Sequence, residues 1–212
     1  PGLRLVDPKP LTGAPSALVA GISQSEQGYP DLPQVSAEVT AVHAIEGGTT
    51  LVNDAFTETS FASELQKRSY TIVHIASHAQ FSNDPKSTFI LTHGGKLTMD
   101  QLEANIKFDE RRDSGIELLV LSACETASGD DRAALGLAGV ALKAGARSAL
   151  ASLWYVSDKT SGQLVVEFYR ALQSGGLSKA RALQAAQRRL IAEQRYSHPA
   201  YWAPFLLIGN WL

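Results

Sequence analysis

The chain has 212 residues, a net charge of −2, 44% hydrophobic and 19% charged residues, and one cysteine. These values fit a soluble globular protein with a substantial core, in one large domain or two small ones, and, apart from a small basic group around Arg181, Arg188 and Arg189, give no hint of binding to nucleic acid or an anionic membrane. A lone cysteine excludes an internal disulfide and any multi-cysteine zinc or iron–sulfur site, and the expected home is a reducing cytoplasm.

In chain order, residues 1–14 are rich in Pro and Gly and read as a linker or N-terminal extension. With no initiator Met before Pro1, the chain is expected to be a segment of a longer multidomain protein, with one domain over 15–212. No apolar run approaches the roughly 20 residues that cross a bilayer, and the N-terminus lacks a secretory pattern. Ala17–Ile22 is a short apolar strand, and the Ser, Gln, Gly and Pro of 23–33 form a loop after it. Leu32, Val35, Val39, Val42 and Ile45 recur at helical spacing between Pro33 and Gly47-Gly48, which mark the two ends. A strand at Thr49–Val52 and a short helix at Phe61–Lys67 follow.

Tyr70–Ala79 is a β-rich run that ends on His78. His93-Gly94-Gly95 separates two short strands of a hairpin, and Thr98 is placed to cap a helix from Met99 to Asn105. Leu118–Ser122 is a near-continuous apolar run, the signature of a parallel strand covered on both faces, and it breaks off at Ala123-Cys124-Glu125-Thr126. Ala133–Ala144 reads as a helix, Ser148–Trp154 as a strand, 158–173 and 178–194 as helices, and Phe205–Ile208 as a last strand. Strands alternating with helices predict a three-layer α-β-α sandwich around a mostly parallel sheet of about six strands.

In such a sheet the working crevice lies outside the carboxyl ends of the strands. If the strands ending at His78 and Cys124 are neighbours, an imidazole and a thiol share that rim, the minimum equipment for nucleophilic catalysis. The plain alternatives are a buried, inert cysteine and a histidine that only hydrogen-bonds a loop. His74, deep in its apolar run, reads as a buried, hydrogen-bonded core residue. Asp158 follows the Ser148–Trp154 strand at the same rim, where it either caps the next helix or lines a pocket for a basic side chain. The acidic Glu125, Asp130 and Asp131 argue against a phosphate cradle around Cys124. Gly-rich phosphate loops and a Gly-x-Ser-x-Gly elbow are absent. No cofactor or metal is expected.

The motifs Ile72-Val73-His74-Ile75-Ala76-Ser77-His78-Ala79-Gln80-Phe81 and Leu119-Val120-Leu121-Ser122-Ala123-Cys124-Glu125-Thr126-Ala127 resemble those of the CHAT domain. So do Gly136-Leu137-Ala138, Ala151-Ser152-Leu153-Trp154-Tyr155-Val156-Ser157-Asp158 and His198-Pro199-Ala200-Tyr201-Trp202-Ala203-Pro204-Phe205. CHAT domains are caspase-like cysteine peptidases, grouped with separase, gingipain and metacaspase. The resemblance spans 15–212 and implies a caspase–hemoglobinase fold and a cysteine endopeptidase acting on protein or peptide substrates. It implies a dyad of His78 and Cys124, with an oxyanion hole from the backbone N–H groups of Ala79 and Cys124. Many relatives carry Gly where this chain has Ala79. Asp158 resembles a separase pocket residue that receives a basic side chain, which implies cleavage after Arg or Lys. CHAT domains commonly follow tetratricopeptide or other helical repeats, so a regulatory repeat domain is expected in the parent chain. The alternative is a latent or non-catalytic CHAT module that signals by binding.

Overall fold

A computed structural model describes residues 16–80, 88–110, 115–122, 145–152, 157–174 and 176–212, with the backbone alone at 108–110. The first half contains β1 (Ala17–Gly21), α1 (Pro33–Glu46), β2 (Thr49–Val52), α2 (Glu58–Lys67) and β3 (Ile72–Ala76). A small excursion follows: β4 (Ala79–Gln80), β5 (Phe89–Thr92) and β6 (Gly95–Thr98). Then come α3 (Met99–Glu110), β7 (Leu118–Ser122), β8 (Ser148–Ser152), α4 (Asp158–Gln173), α5 (Lys179–Ala192) and β9 (Phe205–Gly209).

Among the described residues, six strands form one sheet in the order β2-β1-β3-β7-β8-β9, and β4-β5-β6 form a second, antiparallel one. All neighbours in the large sheet are parallel except β9, which runs antiparallel to β8. The strands β1, β3, β7 and β8 are buried at every residue, which is why their sequences are continuous apolar or small-residue runs without alternation.

Each face of the sheet has its own core. Phe56, Phe61, Leu65, Leu102 and Ile106, from α2, α3 and the segment before α2, cover one face. Val35, Val39, Leu164, Phe168, Ala182 and Leu190, from α1, α4 and α5, cover the other. The result is the expected α-β-α sandwich. The chain leaves β1 for β2 on one side, while β3 and the later strands add on the other. That reversal opens a crevice at the carboxyl ends of β1 and β3.

The predicted ends of α1 are the observed ones. Pro33 opens the helix, and Gly47 ends it at φ 68° with its N–H on the His43 carbonyl. Gly48, at φ 92°, lies so close to β1 that a Cβ would stand 1.9 Å from the Ala17 carbonyl oxygen. α1 and α4 approach closely through Gly162, where a Cβ would meet the Glu38 carboxylate at 3.2 Å.

Glu46, at the end of α1, is 3% exposed, and its Oε2 accepts from Gln173 Nε2 at 2.8 Å. Burial raises its carboxyl above the ordinary 4.5, against the lowering effect of the Gln173 bond. The folded protein therefore binds this proton more tightly than the unfolded chain does. The associated stability is full below about pH 4.5 and is lost as pH rises through the raised value. Glu46→Gln keeps an oxygen for Gln173 and removes the buried charge. Its urea midpoint is expected to exceed the parent's at pH 7, with the gain vanishing toward pH 4.

Candidate active site

β3 and β7 are adjacent and in step, with Ala76 opposite Ser122, so their carboxyl ends are level. The strand that carries His74 stops at Ala76, two residues short of His78. Ser77 makes the exit. Its N–H donates to the Ser122 carbonyl at 3.3 Å, and its hydroxyl donates to the Leu91 carbonyl at 2.7 Å. The next carbonyl, that of His78, accepts from Leu91 N at 2.8 Å, which draws the chain off the large sheet and onto β5. His78 is thereby set at the rim, 5% exposed.

The imidazole is held by the loop between β1 and α1. His78 Nε2 lies 2.9 Å from the Pro30 carbonyl oxygen. A carbonyl can only accept, so Nε2 carries the hydrogen and, in the neutral ring, Nδ1 is the basic nitrogen. The Tyr29 ring packs against the imidazole with centroids 5.1 Å apart. Neither Tyr29 nor Pro30 was marked by the sequence, because a loop residue's reach to a histidine 48 positions away leaves no local signal.

Ala79 lies opposite Ile90 and is 3% exposed. Residues 78 and 91 form the bonded pair of this antiparallel ladder, so the Ala79–Ile90 pair is a non-bonded one. By that alternation the Ala79 N–H points away from β5. Cys124, Glu125, Asp130, Asp131 and the predicted helix at 133–144 lie outside the described residues. The last described residue of β7, Ser122, is buried and bonds through its hydroxyl to that of Ser161 on α4 at 3.0 Å.

Asp158 is the first residue of α4, and the cap is Ser157, whose side chain accepts from Thr160 N. The capping alternative for Asp158 is thereby removed. Its Oδ2 instead accepts from Gln34 N at the start of α1, at 2.7 Å, while Oδ1 is buried and has no hydrogen-bond partner among the described residues. Burial raises the Asp158 carboxyl above its ordinary value, the Gln34 N–H lowers it, the Glu38 charge raises it and the His78 charge lowers it. Asp158 and His78 thus sit within electrostatic reach of each other at one rim.

His74 is the core residue its run implied, wholly buried. Its Nδ1 lies 3.4 Å from the Tyr169 hydroxyl, and its Nε2 lies 3.2 Å from Glu38 Oε1 in poor hydrogen-bond alignment. Burial holds the Tyr169 hydroxyl well above the ordinary tyrosine value, and the charges of Glu46 and Glu38 reinforce it, so it stays protonated. Of the other histidines, His93 pairs with Glu26 at 2.9 Å, and His198 Nδ1 accepts from Ala200 N. Among the described residues no three His, Cys, Asp or Glu side chains gather as a metal site, and no helix is long and apolar enough to cross a membrane.

The family model for the CHAT domain matches residues 4–210. Over 97 residues, 45% of this chain, the sequence is 35% identical to tetratricopeptide repeat protein 28 of Mus musculus and 33% identical to that of Homo sapiens. The matched stretch is 4% of each of those proteins. Among solved structures, the complex of the pro- and mature domains of Porphyromonas gingivalis RgpB superposes with a TM-score of 0.60 at 9% identity. It covers 92% of this chain and 47% of that one. The Arg-specific cysteine proteinase gingipain R gives 0.61 at 9% identity, over 92% and 46%. At that identity the likeness establishes the fold, that of the caspase-like cysteine peptidases.

Proposed function

Because the chain belongs to the CHAT domain family, we propose that it is a cysteine endopeptidase whose dyad is His78 and Cys124. The observation that carries this reading is the placement of His78. It stands at the carboxyl end of the β3–β7 pair, with Nε2–H on the Pro30 carbonyl and Nδ1 as the basic nitrogen. Cys124 follows Ser122 by two residues, a separation of at most about 7 Å of chain. His78 Nδ1 takes the thiol proton, and the Cys124 thiolate attacks the scissile carbonyl to form a tetrahedral oxyanion. The N–H groups of Ala79 and Cys124 stabilise that oxyanion. The imidazolium then protonates the leaving amine, and the neutral ring activates the water that hydrolyses the acyl-enzyme. The outward direction of the Ala79 N–H supports its role. Asp158, with one carboxylate oxygen on Gln34 and one without a partner among the described residues, receives an Arg or Lys side chain of the substrate.

A helical-repeat domain in the parent protein regulates this site in our reading. Its support is the identity to part of two tetratricopeptide repeat proteins. The expected location is the cytoplasm, in keeping with the single cysteine.

The sole thiol makes the dyad directly testable. In the parent, iodoacetamide alkylation of Cys124 is expected to continue well below pH 8, because His78 stabilises the thiolate. In His78→Ala, alkylation should follow an ordinary thiol near pH 8.5. Identical pH–rate curves for the two proteins, followed by mass spectrometry, would overturn the assignment.

A further inference from the structure

The loop that holds His78 is itself held by two side chains that the proposed chemistry leaves unused. Residues 23–32 close on themselves at the base, with Leu32 N donating to the Ser23 carbonyl at 3.0 Å. At the tip, Glu26 and Tyr29 bond to each other's backbone around Gln27 and Gly28, at φ 50° and 87°. Two consecutive positive φ values define a type I′ turn. Tyr29 and Pro30, which contact the His78 ring, leave directly from this turn.

Among the described residues, Gln27 and Asn53 are the positive-φ residues that are not glycine, at 50° and 52°. Both apply a side-chain amide to this one loop. Gln27 Nε2 donates to the carbonyls of Gly95 at 2.9 Å and Thr92 at 3.2 Å, at the bend between β5 and β6. Asn53 Oδ1 accepts from Ser23 N at 2.8 Å and from Ser23 Oγ at 3.1 Å, at the base. Backbone strain of this kind persists where the surroundings over-determine it, and it gathers at working sites. The same gap is spanned by Glu26, whose carboxylate pairs with His93 at 2.9 Å and accepts from Gly94 N at 3.4 Å. The Gln27 amide adds two carbonyl contacts at that bend from a residue whose positive φ forms the turn.

We propose that Gln27 and Asn53 are positioning residues. By pinning the tip and base of loop 23–32, they fix the Pro30 carbonyl and so hold the His78 ring in its Nε2–H tautomer with Nδ1 presented for catalysis. The catalytic half of this statement rests on the dyad proposed above; the tautomer half does not.

Glycine at either position removes the tie yet tolerates the positive φ, so Gln27→Gly and Asn53→Gly should fold. Gln27→Glu is the isosteric companion, since a carboxylate cannot donate to two carbonyls. The readouts are the thermal midpoint, the side-chain nitrogen chemical shifts of His78, and kcat and KM on a peptide substrate. In the parent, His78 is expected as a single Nε2–H tautomer. In the variants it should become a mixture, and kcat should fall about ten- to a hundredfold with KM within about twofold and the midpoint little changed. An unaltered tautomer and kcat in all three variants would overturn the proposal and leave the dyad standing. If instead the alkylation experiment removes the dyad, the tautomer measurement still decides whether the two amides orient the ring.

Discussion

Cys124→Ala is expected to abolish peptide cleavage, lowering kcat by at least about a thousandfold, while circular dichroism and the thermal midpoint stay near the parent's. The size follows from the role. Removing the nucleophile eliminates the covalent intermediate, and what remains is binding and any oxyanion stabilisation. The variant also isolates the chemistry from the fold, since the strand that delivers the residue, β7, is set by Leu118–Ser122 and their pairing with β3 and β8. A purified variant that still cleaves would end the cysteine-peptidase reading. A parent protein that is inactive on every peptide tested, with an unreactive Cys124, would instead favour a module that works by binding.

Asp158→Asn is expected to cost about a hundredfold in kcat/KM on peptides cleaved after Arg or Lys, about 2.7 kcal/mol. Asparagine keeps an oxygen for the Gln34 N–H, so the junction between α1 and α4 is retained and the loss is one of charge. Oδ1, which has no hydrogen-bond partner among the described residues, is the oxygen that a guanidinium or ammonium donor would complete. Neutral P1 residues should be cleaved no worse by the variant, so the ratio of the two rates in a peptide library is the measurement. An unchanged preference for basic residues would take Asp158 out of the pocket.

The sheet could be read from the sequence because its strands are buried on both faces. Continuous apolar runs such as Leu118–Ser122 and Ile72–Ala76 have few other structural homes. Helix ends were readable where Pro33 and Gly47 act through local backbone chemistry. The run into His78 was read too far. Nothing in Ala76-Ser77-His78 shows that the Ser77 hydroxyl and the His78 carbonyl will be claimed by Leu91, across 13 or 14 residues. The alternation that would put His74 and His78 on one face of a strand therefore does not apply, since only His74 is in it. The surroundings of His78 were also hidden. Pro30, Tyr29, Gln27 and Asn53 act through contacts between distant segments, and no period or motif encodes those. Cys124 remains a reading of the sequence and the family, since it lies outside the described residues.

The order of strands in space has a consequence for how the protein is made. β3 lies between β1 and β7, yet the ribosome must complete the stretch 77–117 after β3 before β7 exists. At about 5–20 residues per second this takes about 2–8 s. For that interval the nascent chain offers Ile72–Ala76 with one row of peptide groups bare, a template for pairing with other chains. Translation speed through this interval, and chaperones that bind the emerging polypeptide, should therefore affect the yield of folded protein.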